Sequence, residues 1–275
     1  MRTLSNHIIL YDAECPMCRL YTGAFVRNGL LDSNGREAYQ QYSGTACTNL
    51  DWQRAVNEIA LVNQATGEVT YGVESLLKVC GNALPRLAPL FRWKPLLWVA
   101  SKAYAFISYN RRVIVPAPAS ETPFHYQPSF NVRYRVAWLL FSWILTSCIL
   151  ASYTGVLTVF LTKSSYWREF TICGGQIFFQ AAVIFSYKKE KAWDYLGNMM
   201  TVSLAGALAL LHFLLLCVWL NLGWLACALF FLLTVFLMLL EHMRRCKLLG
   251  IGYLMTASWV LYRIVILVIL FSLKP

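Results

Sequence analysis

Tyr11-Asp12-Ala13-Glu14-Cys15-Pro16-Met17-Cys18 is the stretch that decides the fold of the first half of this 275-residue chain. Ahead of it, Ile8-Ile9-Leu10-Tyr11 is a short β-prone run that stops at Asp12; behind it, Arg19 to Gly29 is compatible with a helix. Pro16 fits a helix's first turn, where its missing N–H would be orphaned anyway. That layout puts Cys15 at the helix N-terminus, where free N–H groups and the helix dipole favour a thiolate. Cys18 follows three residues on, on the same face and within reach of the Cys15 sulfur. Cys15 is therefore expected to be the more exposed and the more acidic thiol.

A CxxC pair can be a redox dithiol, half of a zinc site, or inert. Zinc needs two further ligands, and Cys47 and Cys80 could supply them only if the fold gathered them; no second CxxC or HxxxC unit exists. The strand–turn–helix context favours redox chemistry. The nine cysteines are otherwise scattered, and an odd count with Cys148, Cys173, Cys217 and Cys227 inside apolar segments does not suit a secreted disulfide scaffold. Those four read as small buried hydrophobes.

Further on, a weak strand is expected near Glu37–Tyr42 and a helix around Leu50–Asn57. Glu58–Asn63, the turn Gln64–Gly67 and Glu68–Tyr71 read as a hairpin. Gly72 opens a helix to about Cys80, and another is expected over Leu96–Tyr109. The order strand, CxxC helix, strand, helix, hairpin, helix is an α/β thioredoxin-like arrangement. Leu84 to Val115, with Arg86, Arg92, Lys94 and Lys102 among leucines and tryptophans, doubles as a surface suited to lipid headgroups. Three prolines in Val115–Pro123 mark a linker. The domains expected are 1–114, a linker over 115–132, and 133–275.

The octapeptide is similar to the signature of the DCC family of thiol-disulfide oxidoreductases, with Asp12, Cys15 and Cys18 at its three named positions. The resemblance continues through Leu61-Val62-Asn63, Gly67-Glu68-Val69, Gly72, Leu76-Leu77, Leu84 to Leu90, Tyr104 and Asn110-Arg111, about 105 residues in all. It implies a thioredoxin-like fold and dithiol–disulfide exchange, without a cofactor. Cys15 would then be the nucleophile and Cys18 the resolving thiol. Asp12 would either accept a proton from Cys18 or cap the helix. Ala13 stands where the family generally has glycine, so the turn must form without positive φ or under strain. No proline precedes Ile59, where thioredoxins carry the one that holds a substrate chain.

Beyond Asn131 the composition is that of a membrane region. Hydrophobic residues make up 58% of the whole chain and charged residues only 13%, against about 25% charged in soluble proteins. Five spans are expected, at about 134–161, 170–187, 198–220, 222–240 and 250–272. The third and fourth are almost continuous, so Asn221 and Gly223 must turn the chain between them. Trp138, Trp167, Trp193, Tyr195, Trp219 and Trp224 read as interface anchors.

The net charge of +11 divides into +4 before residue 134 and +7 after it. The later charges lie largely in short loops, which is a topology signal and excludes nucleic acid as a partner. Lys188, Lys189 and Lys191 follow the second span, and Arg244, Arg245 and Lys247 the fourth. By the positive-inside rule the N-terminal domain is cytoplasmic and the C-terminus outside, as in a bacterial inner or plasma membrane protein. No basic n-region leads into a hydrophobic core, so no secretory signal peptide is expected.

Inside the spans, Arg263 is a costly charge near mid-depth, with His212 and the Gln176/Gln180 pair as companions in an intramembrane polar site. Two functions compete. One is a membrane-anchored oxidoreductase acting on a thiol or disulfide partner, protein or small molecule. The other is a transporter, receptor or assembly protein whose first domain docks or regulates without turnover.

Overall fold

The computed structural model describes residues 2–42, 50–118, 125–157 and 166–272. The chain forms two compact units, Met1–Tyr134 and Arg135–Pro275.

The first unit is a mixed α/β domain of thioredoxin-like topology. Its elements are β1 (His7–Tyr11), α1 (Pro16–Arg27), β2 (Arg36–Ala38), α2 (Trp52–Asn57), β3 (Ala60–Asn63), β4 (Val69–Tyr71), α3 (Gly72–Ala83), a 3-10 turn (Pro85–Leu87), α4 (Ala88–Phe91) and α5 (Lys94–Ile114). The sheet order is β2-β1-β3-β4. β1 runs parallel to β2, with Ile9 opposite Arg36. It runs antiparallel to β3, with Ile9 opposite Leu61, and β4 runs antiparallel to β3.

Side chains alternate across a strand, so Ile9 and Leu10 point to opposite faces. Both are fully buried because each face is covered. Ile9 packs with Leu31, Ile59, Leu61 and Val79 against Tyr21 and Phe25 of α1. Leu10 packs with Tyr39, Ala55, Val56, Ala60 and Val62.

Two elements differ in extent from the sequence reading. β2 stops at Ala38, because Gln41 and Tyr42 donate their N–H groups back to the Ala38 carbonyl in a helical turn. α5 continues five residues past Tyr109, because Asn110, Arg111 and Val113 are buried. The segment read as a linker is fastened down where described: Gln53 donates to the Gln127 carbonyl and to Ser129 Oγ. The leucines and tryptophans expected at a lipid surface, Leu87, Leu90, Trp93 and Trp98, are exposed.

The second unit is all-α. It comprises α6 (Val132–Thr154, whose first residues belong to the first unit), α7 (Tyr166–Tyr187), a 3-10 turn (Lys189–Lys191), α8 (Ala192–Leu220), α9 (Trp224–Leu248) and α10 (Leu254–Ser272). All five helices are long and apolar enough to cross a membrane. Leu225, Leu229, Leu232, Leu233, Phe236, Leu237 and Leu240 leave a stripe of α9 exposed, and α10 exposes Leu261, Ile264, Val265, Val268 and Ile269. Apolar faces of that extent call for lipid. This is an integral membrane domain.

The spans shift from their expected limits for local reasons. α6 ends at Thr154, where Val156 N–H turns back to the Tyr153 carbonyl; residues 158–161 of the expected span lie outside the described residues. α8 begins six residues before Asn198, since Asp194, Tyr195 and Asn198 all find partners inside the unit. α9 runs on to Leu248 for the same reason, and α10 waits until Leu254 because Gly250 and Gly252 turn the chain at φ 66° and 72°. The expected α8–α9 hairpin is present: Asn221 ends α8 in the left-handed region at φ 51°. Trp167 and Trp219 are exposed as expected of anchors, but Trp138 and Tyr195 are buried. Trp138 instead donates to Thr201 Oγ1 at 3.1 Å.

Candidate active site

Cys15 is the N-cap of α1. Its backbone is extended at φ −96°, ψ 110°, and Pro16 occupies the first helical turn. An N-cap side chain accepts an otherwise orphaned N–H two or three residues on. Here that acceptor is sulfur: Cys15 Sγ takes the Cys18 N–H at 3.4 Å.

The two thiols differ sharply in proton affinity. Cys15 is lowered from 9 to about 6, chiefly by the hydrogen bond from the Cys18 thiol, aided by the Cys18 N–H and the Arg111 charge, and opposed by burial and Asp12. Cys18 is raised, first because its proton is committed to that bond and then by burial. The acidity order is the expected one, but its chief cause is the Cys18 thiol rather than the helix terminus. The exposure order is not the expected one. Both cysteines are 3% exposed, because the β1–α1 turn folds inward, with Cys15 N–H bonded to the Asp12 carbonyl at 3.1 Å.

Asp12 is buried beside them. Its Oδ2 receives Arg111 Nη2 at 3.1 Å, with Arg112 Nη2 3.8 Å away. Its Oδ1 accepts Gln40 Nε2 at 3.0 Å and the Glu14 N–H at 3.0 Å. The carboxylate thus braces the turn ahead of the helix, and the N-cap position belongs to Cys15. Gln40 closes the same turn from the other side by accepting the Ala13 N–H at 3.2 Å. Ala13 has no positive φ, so the family's usual glycine is dispensable here.

Arg111 ties the site to the rest of the domain. It donates to the Val56 carbonyl at 2.8 Å, the Asn57 carbonyl at 3.2 Å and Ser108 Oγ at 3.4 Å. The segment before β3, where thioredoxins carry a proline, is held here by an arginine. Asn110 anchors the same turn of α5 through the Phe106 and Tyr134 carbonyls. Tyr21 OH lies 3.8 Å from Cys18 Sγ. Arg111, Gln40 and Tyr21 were not singled out as site residues from the sequence. Asn110-Arg111 carried a signal, as the end of the family resemblance, but nothing local links a residue to one 99 positions away. An open groove of about 590 Å³ runs along α1 from Pro16 to Arg27 and is bordered by Arg36; neither thiol lines it.

Among the described residues no group of three His, Cys, Asp or Glu side chains could hold a metal. Cys47 lies outside the described residues, so the two-cysteine supplement considered above has only Cys80 described, and that thiol is half-buried and free.

The intramembrane residues separate into two sets. Gln176 and Gln180 are buried, and Gln180 Oε1 accepts both Tyr195 OH at 2.7 Å and Ser258 Oγ at 3.1 Å. Arg263 lies over the Trp259 ring at 5.2 Å. Gln176 Nε2, Gln180 Nε2, Trp259 Nε1 and Arg263 Nε are buried without a hydrogen-bond partner. His212 does not join them; it is exposed on α8 and bonded to its own helix at the Leu208 carbonyl. The histidine in the interior is His242, 3.2 Å from Tyr195 OH and from Thr256 Oγ1. It lies past Leu240, the expected end of the fourth span, and enters the interior because α9 runs on to Leu248.

Residues 9–115 match the family model described as DCC1-like thiol-disulfide oxidoreductase. No curated protein and no solved structure matches the chain. The N-terminal unit is thus a DCC-like thioredoxin domain, fused to a region of several long apolar helices.

Proposed function

We propose that the protein is a membrane-anchored thiol-disulfide oxidoreductase that exchanges the Cys15/Cys18 dithiol with a disulfide-bearing partner. The observation that carries this reading is the placing of two thiols on one helical turn, with Cys15 Sγ capping α1 through the Cys18 N–H at 3.4 Å beside the buried Asp12–Arg111 pair. At neutral pH Cys15 is largely thiolate, the form that attacks a disulfide, while Cys18 keeps its proton. Cys15 sulfur bonds to one partner sulfur and the other leaves as a thiolate. Cys18 then gives up its proton and attacks the Cys15 sulfur, closing Cys15–Cys18 and releasing the second partner thiolate. Two electrons pass to the partner, and its sulfurs take up two protons. Asp12 serves as a positioning group: it holds Arg111, whose charge favours both thiolates. Burial of both sulfurs means that the turn must open for a partner to reach them.

The basic segments at the ends of α7 and α9 support a cytoplasmic N-terminal domain and an outside C-terminus, in a bacterial inner or plasma membrane. Lys188 Nζ reaches the Gly250 carbonyl at 2.9 Å, so these two ends adjoin. A reducing compartment favours a resting dithiol. The deciding experiment is trapping: Cys18→Ser in whole membranes, quenched with a thiol alkylator, should accumulate a mixed disulfide through Cys15. Absence of any adduct in Cys18→Ser, with Cys15 freely alkylated, would leave a binding domain without turnover.

A second reading is favoured by the four unpaired N–H groups of α7 and α10. All are donors and one belongs to a cation, so the bundle is suited to an anionic or acceptor-rich ligand, as a transporter or receptor would be.

A further inference from the structure

Helices α8 and α9 form an antiparallel hairpin. It brings Cys217, near the end of α8, opposite Cys227, near the start of α9. Their sulfurs are 2.9 Å apart. That is closer than ordinary contact between two thiols, and less than about 1 Å of movement separates it from the roughly 2.05 Å of a disulfide bond.

The surroundings hold the pair in place. Leu222 N–H bonds to the Cys217 carbonyl at 3.0 Å, fixing the end of α8. Tyr153 OH donates to the Cys227 carbonyl at 2.7 Å, fixing the start of α9. One turn deeper, the Phe213 and Phe230 rings stack at 3.9 Å. Both sulfurs belong to one buried cluster with Tyr153, Leu157 and Leu210. Cys246, by contrast, faces the His242 ring at 3.5 Å.

We propose that Cys217 and Cys227 are a second dithiol/disulfide site, set in the membrane hairpin and oxidised by exchange with a disulfide-bearing partner. Each cysteine loses its thiol proton and one S–S bond forms between them. The partner's S–S bond breaks, and its two sulfurs take up the two electrons and two protons. Oxidised, the pair staples α8 to α9 beside the Asn221 turn; reduced, it leaves the helix ends there joined only by that turn and packing. The site does not depend on the chemistry proposed for Cys15 and Cys18.

The test uses the full chain in membranes. Free thiols are blocked with N-ethylmaleimide before solubilisation, either directly or after treatment with 4,4′-dithiodipyridine, and the chymotryptic peptides are mapped without reduction. We expect Cys217 and Cys227 peptides joined by a disulfide, directly or after the oxidant, and unchanged in Cys15→Ser/Cys18→Ser protein. The oxidised form should melt several degrees above the reduced form, a difference lost in both Cys217→Ser and Cys227→Ala. If after oxidant each cysteine carries its own pyridylthio or maleimide adduct and no linked peptide forms, the proposal is overturned.

Discussion

At the residue scale, the dithiol combines an acidic thiol with poor access, and the two properties separate in experiment. Iodoacetamide labelling of Cys15 in the full-length protein should titrate with a midpoint near pH 6, against its ordinary 9, yet run slower than an exposed thiolate of that acidity. A midpoint at 8 or above would remove the basis for calling it the nucleophile. Because the folded protein binds this proton less tightly than the unfolded chain, the reduced protein should gain stability as pH rises from about 6 to 9 and lose it as pH falls through 6. Above 9 the raised Cys18 reverses the slope.

Arg111 is the residue on which both acidity and fold depend. Arg111→Met leaves Asp12 buried without its nearest cation and takes the Arg111 donor from the Val56 carbonyl, while the Asn57 carbonyl keeps Ser108 Oγ at 2.6 Å. A loss of about 3–5 kcal/mol is expected for breaking such a pair, together with a rise in the Cys15 midpoint. Denaturant unfolding and the labelling titration check the two effects separately; a variant with unchanged stability and midpoint would show that the buried pair is inert.

At the element scale, the start of α3 illustrates what a family glycine is for. Gly72 sits at φ 59°, and a Cβ there would lie 2.7 Å from Glu58 Oε2 and 3.3 Å from the Tyr104 ring. Tyr104 OH in turn accepts the Ile59 N–H at 3.0 Å, at the entrance to β3. Gly72→Ala should therefore cost about 1–3 kcal/mol through backbone strain, displacement of the Glu58 carboxylate and crowding of the Tyr104 ring. Thermal unfolding reads this directly, and a variant as stable as the parent would mean that the α3 start relaxes freely. Gly67, also at positive φ but with nothing near its missing Cβ, should lose only the conformational part when changed to alanine.

At the scale of the whole molecule, two expectations concern the membrane domain. A membrane-impermeant thiol label applied to intact cells should miss the N-terminal domain, while a reporter fused after Pro275 should appear outside. Strong external labelling of Cys80, a half-exposed thiol of that domain, would invert the orientation and place the dithiol in an oxidising compartment. Arg263→Leu should insert normally, since the span becomes more apolar, but should lose any function that needs the unpaired donors of α7 and α10. Full activity and assembly in Arg263→Leu would make it a tolerated charge.

The sequence by itself determined the architecture. Pattern is local, so β1, the CxxC helix, the β3–β4 hairpin and five apolar helices were legible from alternation, proline placement and hydropathy over windows of a few turns. It also determined that Cys15 would head a helix, because Pro16 fits only the first helical turn. Only the tertiary structure decided what surrounds those groups. The Asp12–Arg111 pair joins residues 99 apart, Gln40 reaches back across the sheet, and both cysteines are buried when the terminus alone suggested that Cys15 would be exposed. In the bundle, length and hydropathy located Arg263 and the glutamines but chose the wrong histidine. Which face of a helix turns inward is set by packing against its neighbours, and in a nearly uniform apolar helix such as α8 the sequence carries little amphipathic signal to announce it.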